Sequence, residues 1–105
     1  MKHCFLRPQA QEDRKNEVRH YRAEAGTQVA HRLVEALRQA QSELSRHPSI
    51  ASLVLGPEFG LPGMRTWRIS GFRSSLWYFK RETLVDIARL VGQRQEASSL
   101  DVPAG

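Results

Sequence analysis

Residues Met64 to Arg94 read MRTWRISGFRSSLWYFKRETLVDIARLVGQR. This stretch carries the pattern of three short strands in a row. From Arg65 to Ser70, Trp67 and Ile69 alternate with Thr66, Arg68 and Ser70, the period of a half-buried strand. Gly71 marks a turn. Ser74 to Arg81 holds Leu76, Trp77, Tyr78 and Phe79 in succession, so this strand is expected to be covered on both faces. Arg81-Glu82-Thr83 is a tight connection. Leu84 to Val91 is a third strand, with Leu84, Ala88 and Leu90 expected opposite Val85, Ile87 and Val91. Gly92 ends it. Arg65, Arg68, Arg73, Arg81, Arg89 and Arg94 are spread along the whole run.

Upstream the period changes from two to three and four. His3 to Arg7 reads as a short strand, and Pro8 suits a first helical turn, where its missing N–H costs nothing. Gln9 to Ala25 carries a thin stripe of Ala10, Arg14, Val18, Tyr21 and Ala25. Arg14 interrupts it, either snorkelling or facing a partner's carboxylate. Gly26 fits a helix C-terminal position, and Thr27 is an expected N-cap for the next helix. Thr27 to Arg46 has the strongest pattern: Ala30, Leu33, Leu37, Ala40 and Leu44, widened by Val29, Val34 and Ala36. Two helices so closely joined form an antiparallel hairpin. The leucine stripe should pack on the sheet through Trp67, Ile69 or Phe79. His47 to Gly63 is irregular, with turn signals at Gly56-Pro57, Gly60 and Pro62-Gly63.

The chain has 105 residues, one domain's worth, with 40% hydrophobic residues, a formal charge of +5 and a pI near 10.1. Only Lys2, Lys15 and Lys80 are lysines, so arginine dominates, and its planar fork suits carboxylates and phosphates. An acidic partner is implied, either nucleic acid or an acidic protein segment. A single cysteine, Cys4, excludes an intrachain disulfide and a cysteine-built zinc site. His3, His20, His31 and His47 are too scattered for a metal centre, so no metal or cofactor is expected. The apolar run after Met1-Lys2-His3 is too short for a secretory signal, and nothing has the length of a membrane span, so a cytoplasmic protein is expected. The domain is expected over residues 1–96, with 97–105 a frayed tail or one that orders on binding.

The order strand, helix, helix, loop, three strands is an α+β layout. It resembles the ParE branch of the bacterial ParE/RelE toxin superfamily along nearly the whole chain. The carrying segments are Ala10 and Asp13 as A-x-x-D, Tyr21, EAGTQVAHRLVEAL from Glu24 to Leu37, and His47-Pro48. LPGMRTWRISGF from Leu61 to Phe72, the aromatic run LWYFK, and VDIARLVGQR continue it. Many relatives have an aliphatic residue where Arg14 stands. They commonly carry a histidine after the last strand, whereas here Val91 runs directly into Gly92 and no histidine follows His47.

The resemblance implies the toxin of a type II toxin–antitoxin pair, one that inhibits DNA gyrase by binding and is silenced by a ParD-like antitoxin. Any DNA association would be indirect, through the antitoxin. The enzymatic alternative is a RelE-like mRNA endonuclease. RNA cleavage through the 2′-hydroxyl needs a base, an acid and positive charge at the phosphate. Arg65, Arg73 and Arg89 offer the charge. No histidine or tyrosine stands at the end of the final strand to move protons, Tyr78 reads as core, and Glu96 is the only carboxylate nearby. No catalytic residue is therefore assigned. A third alternative is a degenerate, non-toxic binding module. Target contacts are expected at Arg65, Arg73, Arg89 and Arg94, and antitoxin contacts at Arg14, Val18, Tyr21, Leu33 and Arg68.

Overall fold

The computed structural model describes residues 1–51, 53, 60–92, 100 and 102–103. Strand β1 (His3–Leu6) leads into α1 (Pro8–Ala25) and α2 (Thr27–Arg46). After the loop come β2 (Met64–Arg68), β3 (Ser74–Lys80) and β4 (Leu84–Gly92). The four strands form one sheet in the order β1-β4-β3-β2. The last three are antiparallel neighbours. β1 pairs parallel to β4, with His3 opposite Leu84 and Leu6 opposite Ile87. The α+β layout read from the sequence is the one observed.

Local chemistry sets the element ends. Pro8 occupies the first turn of α1, and no side chain caps either helix at its N-terminus. Thr27 is therefore the first residue of α2 rather than its N-cap. That cap is Gly26, at φ 94° and ψ 170°, a backbone region open essentially to glycine alone. Its carbonyl accepts the first bond of α2, from the Ala30 amide at 3.2 Å.

The helices lie on one face of the sheet. Leu33, Leu37 and Leu44 of α2 are fully buried against Ile69, Leu76, Tyr78, Val85, Ile87 and Leu90, with Trp67 half-buried at the margin. Phe79 does not belong to this layer. Phe79 and Trp77 face the other way and join Met64, Ala88 and Val91 in a second cluster. β3 is thus buried on both faces, as its unbroken run of large apolar residues requires.

A bulge explains why the expected alternation in β4 is wrong at one place. Trp77 pairs with Arg89, but the next residue, Tyr78, pairs with Ile87, leaving Ala88 as the extra residue. The bulge resets the phase. Leu90 joins Val85 and Ile87 on the helical face, while Ala88 and Val91 lie in the second cluster.

Of the segment 97–105, the described residues are Leu100, Val102 and Pro103. Val102 is buried in the second cluster and Leu100 packs partly against it. The Pro103 carbonyl accepts a hydrogen bond from Arg7. The other residues of 97–105 lie outside the described residues.

Candidate functional site

α1 is seated by acids. Ala10, Asp13 and Glu17 are its buried residues, at spacings of three and four. β4 has β1 beside it only as far as Ile87, and α1 lies along the rest of that strand. There Asp13 meets Arg89 in a forked pair, Nε to Oδ2 at 2.7 Å and Nη2 to Oδ1 at 3.0 Å. Oδ2 also accepts the Leu90 amide at 3.1 Å. One turn on, Glu17 accepts the Ser74 hydroxyl at 2.9 Å. A Cβ on Gly92 would stand 2.9 Å from both Glu17 carboxylate oxygens, so a side chain there would require the Glu17 carboxylate to move.

This geometry removes Arg89 from the expected target contacts. It is 7% exposed and committed to Asp13. Burying its charge is tolerable only with that partner in place. Leu33 likewise leaves the expected antitoxin contacts, because it is wholly buried under the sheet. Arg65 is half-buried and donates to the carbonyls of Ser49 at 3.1 Å and Ala51 at 2.8 Å, which ties the loop to β2. Arg94 and Glu96 lie outside the described residues.

A second ionic cluster fixes the entry to α1. Arg7, the residue before the helix, forks onto Asp86 at 2.9 Å through both contacts. Arg81 reaches Asp86 Oδ2 at 3.0 Å and 3.2 Å. Both guanidinium groups lie over the Phe79 ring, 5.5 Å and 4.7 Å from its centroid. Burial opposes the Asp86 charge. The hydrogen bonds and charges of the two arginines outweigh it and hold the carboxyl below its ordinary value.

The remaining expected residues divide between two grooves flanking α2. On the β2 side, one groove runs from Glu43 and Trp67 past Arg68 and Ser70. It continues through Arg32, Ala36 and Ser70 to Tyr21, Phe72 and Arg73. Tyr21 stacks edge-on against Phe72 with ring centroids 5.2 Å apart. Arg32, Arg68 and Arg73 here face Glu35 and Glu43, so the lining is mixed in charge. On the β1 side, a groove of about 520 Å³ has a floor of Cys4, Leu6 and Val34. Arg14, Lys15 and Arg38 rim it, and it extends along α1 past Val18 to Arg19 and Arg22. Among the described residues no carboxylate lines it. Arg14 and Val18 therefore share one groove, while Tyr21, Arg68 and Arg73 share the other.

Neither groove presents a built proton-transfer centre among the described residues. The Tyr78 hydroxyl donates to the Pro48 carbonyl at 2.8 Å, and burial pushes its pKa up. Burial also raises Cys4, whose thiol lies 3.3 Å from the Gln41 carbonyl. No group of His, Cys, Asp and Glu suited to a metal ion occurs among the described residues. No helix there is long and apolar enough to cross a membrane.

The seating role of Asp13 and Glu17 lies off the Ala10-Arg14-Val18-Tyr21-Ala25 stripe, and Asp13 enters the sequence reading only through the A-x-x-D segment. The signal was present: Ala10, Asp13 and Glu17 keep helical spacing, and Arg89 interrupts an otherwise apolar strand that has Asp86 as its only other charge.

Comparison with known proteins agrees with the fold. Residues 5–97 match the family described as the ParE toxin of the type II toxin–antitoxin system, parDE. A solved structure, the chromosomal ParDE TA system from P. aeruginosa, superposes with a TM-score of 0.73 at 17% identity. The match covers 88% of this chain and 96% of that one, a likeness of fold. No curated protein sequence matches.

Proposed function

The chain belongs to the ParE toxin family of type II toxin–antitoxin systems, and on that premise we propose that it inhibits DNA gyrase in the cytoplasm by binding, and is silenced by a ParD-like antitoxin. The observation that carries the non-enzymatic reading is the state of its candidate chemical groups. Arg89, one of the three arginines read from the sequence as able to meet a phosphate, is buried on Asp13. Tyr78 is a buried hydroxyl with a raised pKa and a carbonyl acceptor. A general acid and base must reach the proton they move. Inhibition by binding asks for no such group; it asks for exposed recognition chemistry.

The β2-side groove supplies that chemistry. Arg68 and Arg73 are exposed at its rim, above the half-buried rings of Trp67, Tyr21 and Phe72. Arg94, two residues beyond β4 in sequence, joins them as a proposed target contact.

The test is a gyrase supercoiling assay run beside an mRNA-integrity assay on translating ribosomes. The purified protein should block supercoiling or trap cleaved DNA, and should leave mRNA whole. Arg73→Glu and Arg94→Glu should each weaken inhibition by about tenfold or more, the loss of one charge-assisted contact. Circular dichroism should remain unchanged. Codon-dependent mRNA cleavage with gyrase unaffected would establish the RelE-like activity instead.

A further inference from the structure

α1 turns its acids inward and its bases outward. Asp13 and Glu17 are buried, and Asp13 is neutralised by Arg89. The outward side of the helix carries Arg14, Lys15, Arg19 and Arg22, all exposed. They form one surface with Val18 of α1 and Val34 of α2. Glu12 and Glu24, the other carboxylates of the helix, stand outside this lining. Lys15 and Arg19 are four residues apart, and Arg19 and Arg22 three, spacings at which like charges weaken a helix.

Cations elsewhere are spent within the fold. Arg7 and Arg81 hold Asp86, Arg89 holds Asp13, and Arg38 and Arg46 pair with Glu35 and Glu43. Lys2, Arg65 and Lys80 donate to carbonyl or hydroxyl oxygens. Arg14, Lys15 and Arg22 make no ion pair among the described residues, and Arg19 donates to the side-chain oxygen of Asn16 at 3.2 Å. The repulsion along α1 therefore weakens the helix with no ion pair gained in return among the described residues.

The spacing suits a repeating anion. Arg14 and Arg22 are separated by about 12 Å along the helix axis, a length over which one strand of duplex DNA sets about three phosphates. Arginine forks and the lysine ammonium both bind phosphate oxygens. No aromatic ring lines this stretch, so it offers no platform for unstacked bases. A protein partner draws most of its affinity from anchors in apolar pockets, and here the apolar lining is Val18 and Val34 alone. We infer that the outer face of α1 is a contact surface for the phosphate backbone of duplex DNA, independent of base sequence. The chain then touches DNA directly, whereas the family resemblance implies contact only through an antitoxin. The β2-side groove proposed for the target lies across α2, so occupancy of one surface leaves the other open. The inference goes beyond the gyrase reading and does not depend on it.

The probe is a short fluorescein-labelled DNA duplex, titrated with the full chain and followed by fluorescence anisotropy from about 50 to 200 mM salt. Two duplexes of unrelated sequence should bind alike. The logarithm of the affinity should fall with that of the salt concentration at a slope of about −3, the counterions of about three phosphates. Arg14→Glu with Lys15→Glu, and Arg19→Glu with Arg22→Glu, should each weaken binding about tenfold or more and flatten the slope by about two. Arg68→Glu with Lys80→Glu makes the same change in net charge at exposed positions of β2 and β3, and should leave the slope unchanged. Absence of binding at the lowest salt, or an equal loss in the β2–β3 variant, would overturn the inference. So would a polyglutamate peptide that binds more tightly than the duplex and is lost in the α1 variants, which would give the surface to an acidic protein. None of these readouts contains gyrase, so failure here and failure of the gyrase reading are distinguishable.

Discussion

α1 and α2 lie side by side on the same face of one sheet, and they are held there by opposite chemistry. α2 buries Leu33, Leu37 and Leu44 among aliphatic and aromatic side chains. α1 buries Ala10 and two carboxylates, Asp13 and Glu17. Apolar burial is non-directional, and its strength follows the area removed from water. A forked carboxylate–guanidinium pair is directional, and its strength depends on every partner being present. α2 therefore supplies cohesion, whereas α1 is located by a few specific bonds to Arg89, Leu90 and Ser74. Its outer surface is left free to carry Arg14, Lys15, Arg19 and Arg22 toward the β1-side groove.

The sharpest way to break the comparison is Asp13→Ala. It strands a buried guanidinium and the Leu90 amide together, and should cost about 3–5 kcal/mol in denaturant unfolding. Replacing both members, Asp13→Leu with Arg89→Met, should recover most of that loss, because a well-packed apolar pair often equals a buried ionic one. If the single and the double variants are equally unstable, α1 is not seated by its ion pair. Leu37→Ala should cost about 2–5 kcal/mol, with no comparable rescue from a second site, since the loss is a cavity. A change near zero would mean that α2 is not the cohesive layer.

The smallest effect is acid sensitivity at the entry to α1. Arg7 and Arg81 depress the folded-state pKa of Asp86. A depressed carboxyl contributes stability above its unfolded value, near pH 3.9, and loses it as the pH falls from there toward the folded value. Asp86→Asn should flatten stability against pH below about 4 and leave the slope near neutrality unchanged. An unaltered acid limb would assign the acid loss to other carboxylates.

α2 was legible in the sequence to the residue, because its leucines repeat at helical spacing and nothing competes with them. β2 was legible from alternation at period two, and β3 from an unbroken run of large apolar residues bounded by turn signals. The phase error in β4 came from a bulge, which is set by pairing with Trp77 and Tyr78 and leaves no mark within β4 itself. The seat of α1 was harder, because a buried charge resembles a solvated one until its partner, Arg89, far along the chain, is brought beside it. The division of the expected site residues between two grooves followed from the same limitation. Arg14, Val18 and Tyr21 share one helix, and only the placement of α2 and Phe72 shows that Tyr21 belongs to the opposite side.

The parallel pairing of β1 with β4 has a consequence in time. His3 to Leu6 are made well before Leu84 to Ile87, their strand neighbours among the described residues. Until residue 87 has emerged from a ribosome, β1 has no neighbour, the edge it presents does not exist, and Asp13 has no Arg89. Contacts so distant in sequence close late in folding. A nascent chain therefore carries both helices before β4 exists to seat them, and the two grooves flanking α2 take shape together once β4 has been made.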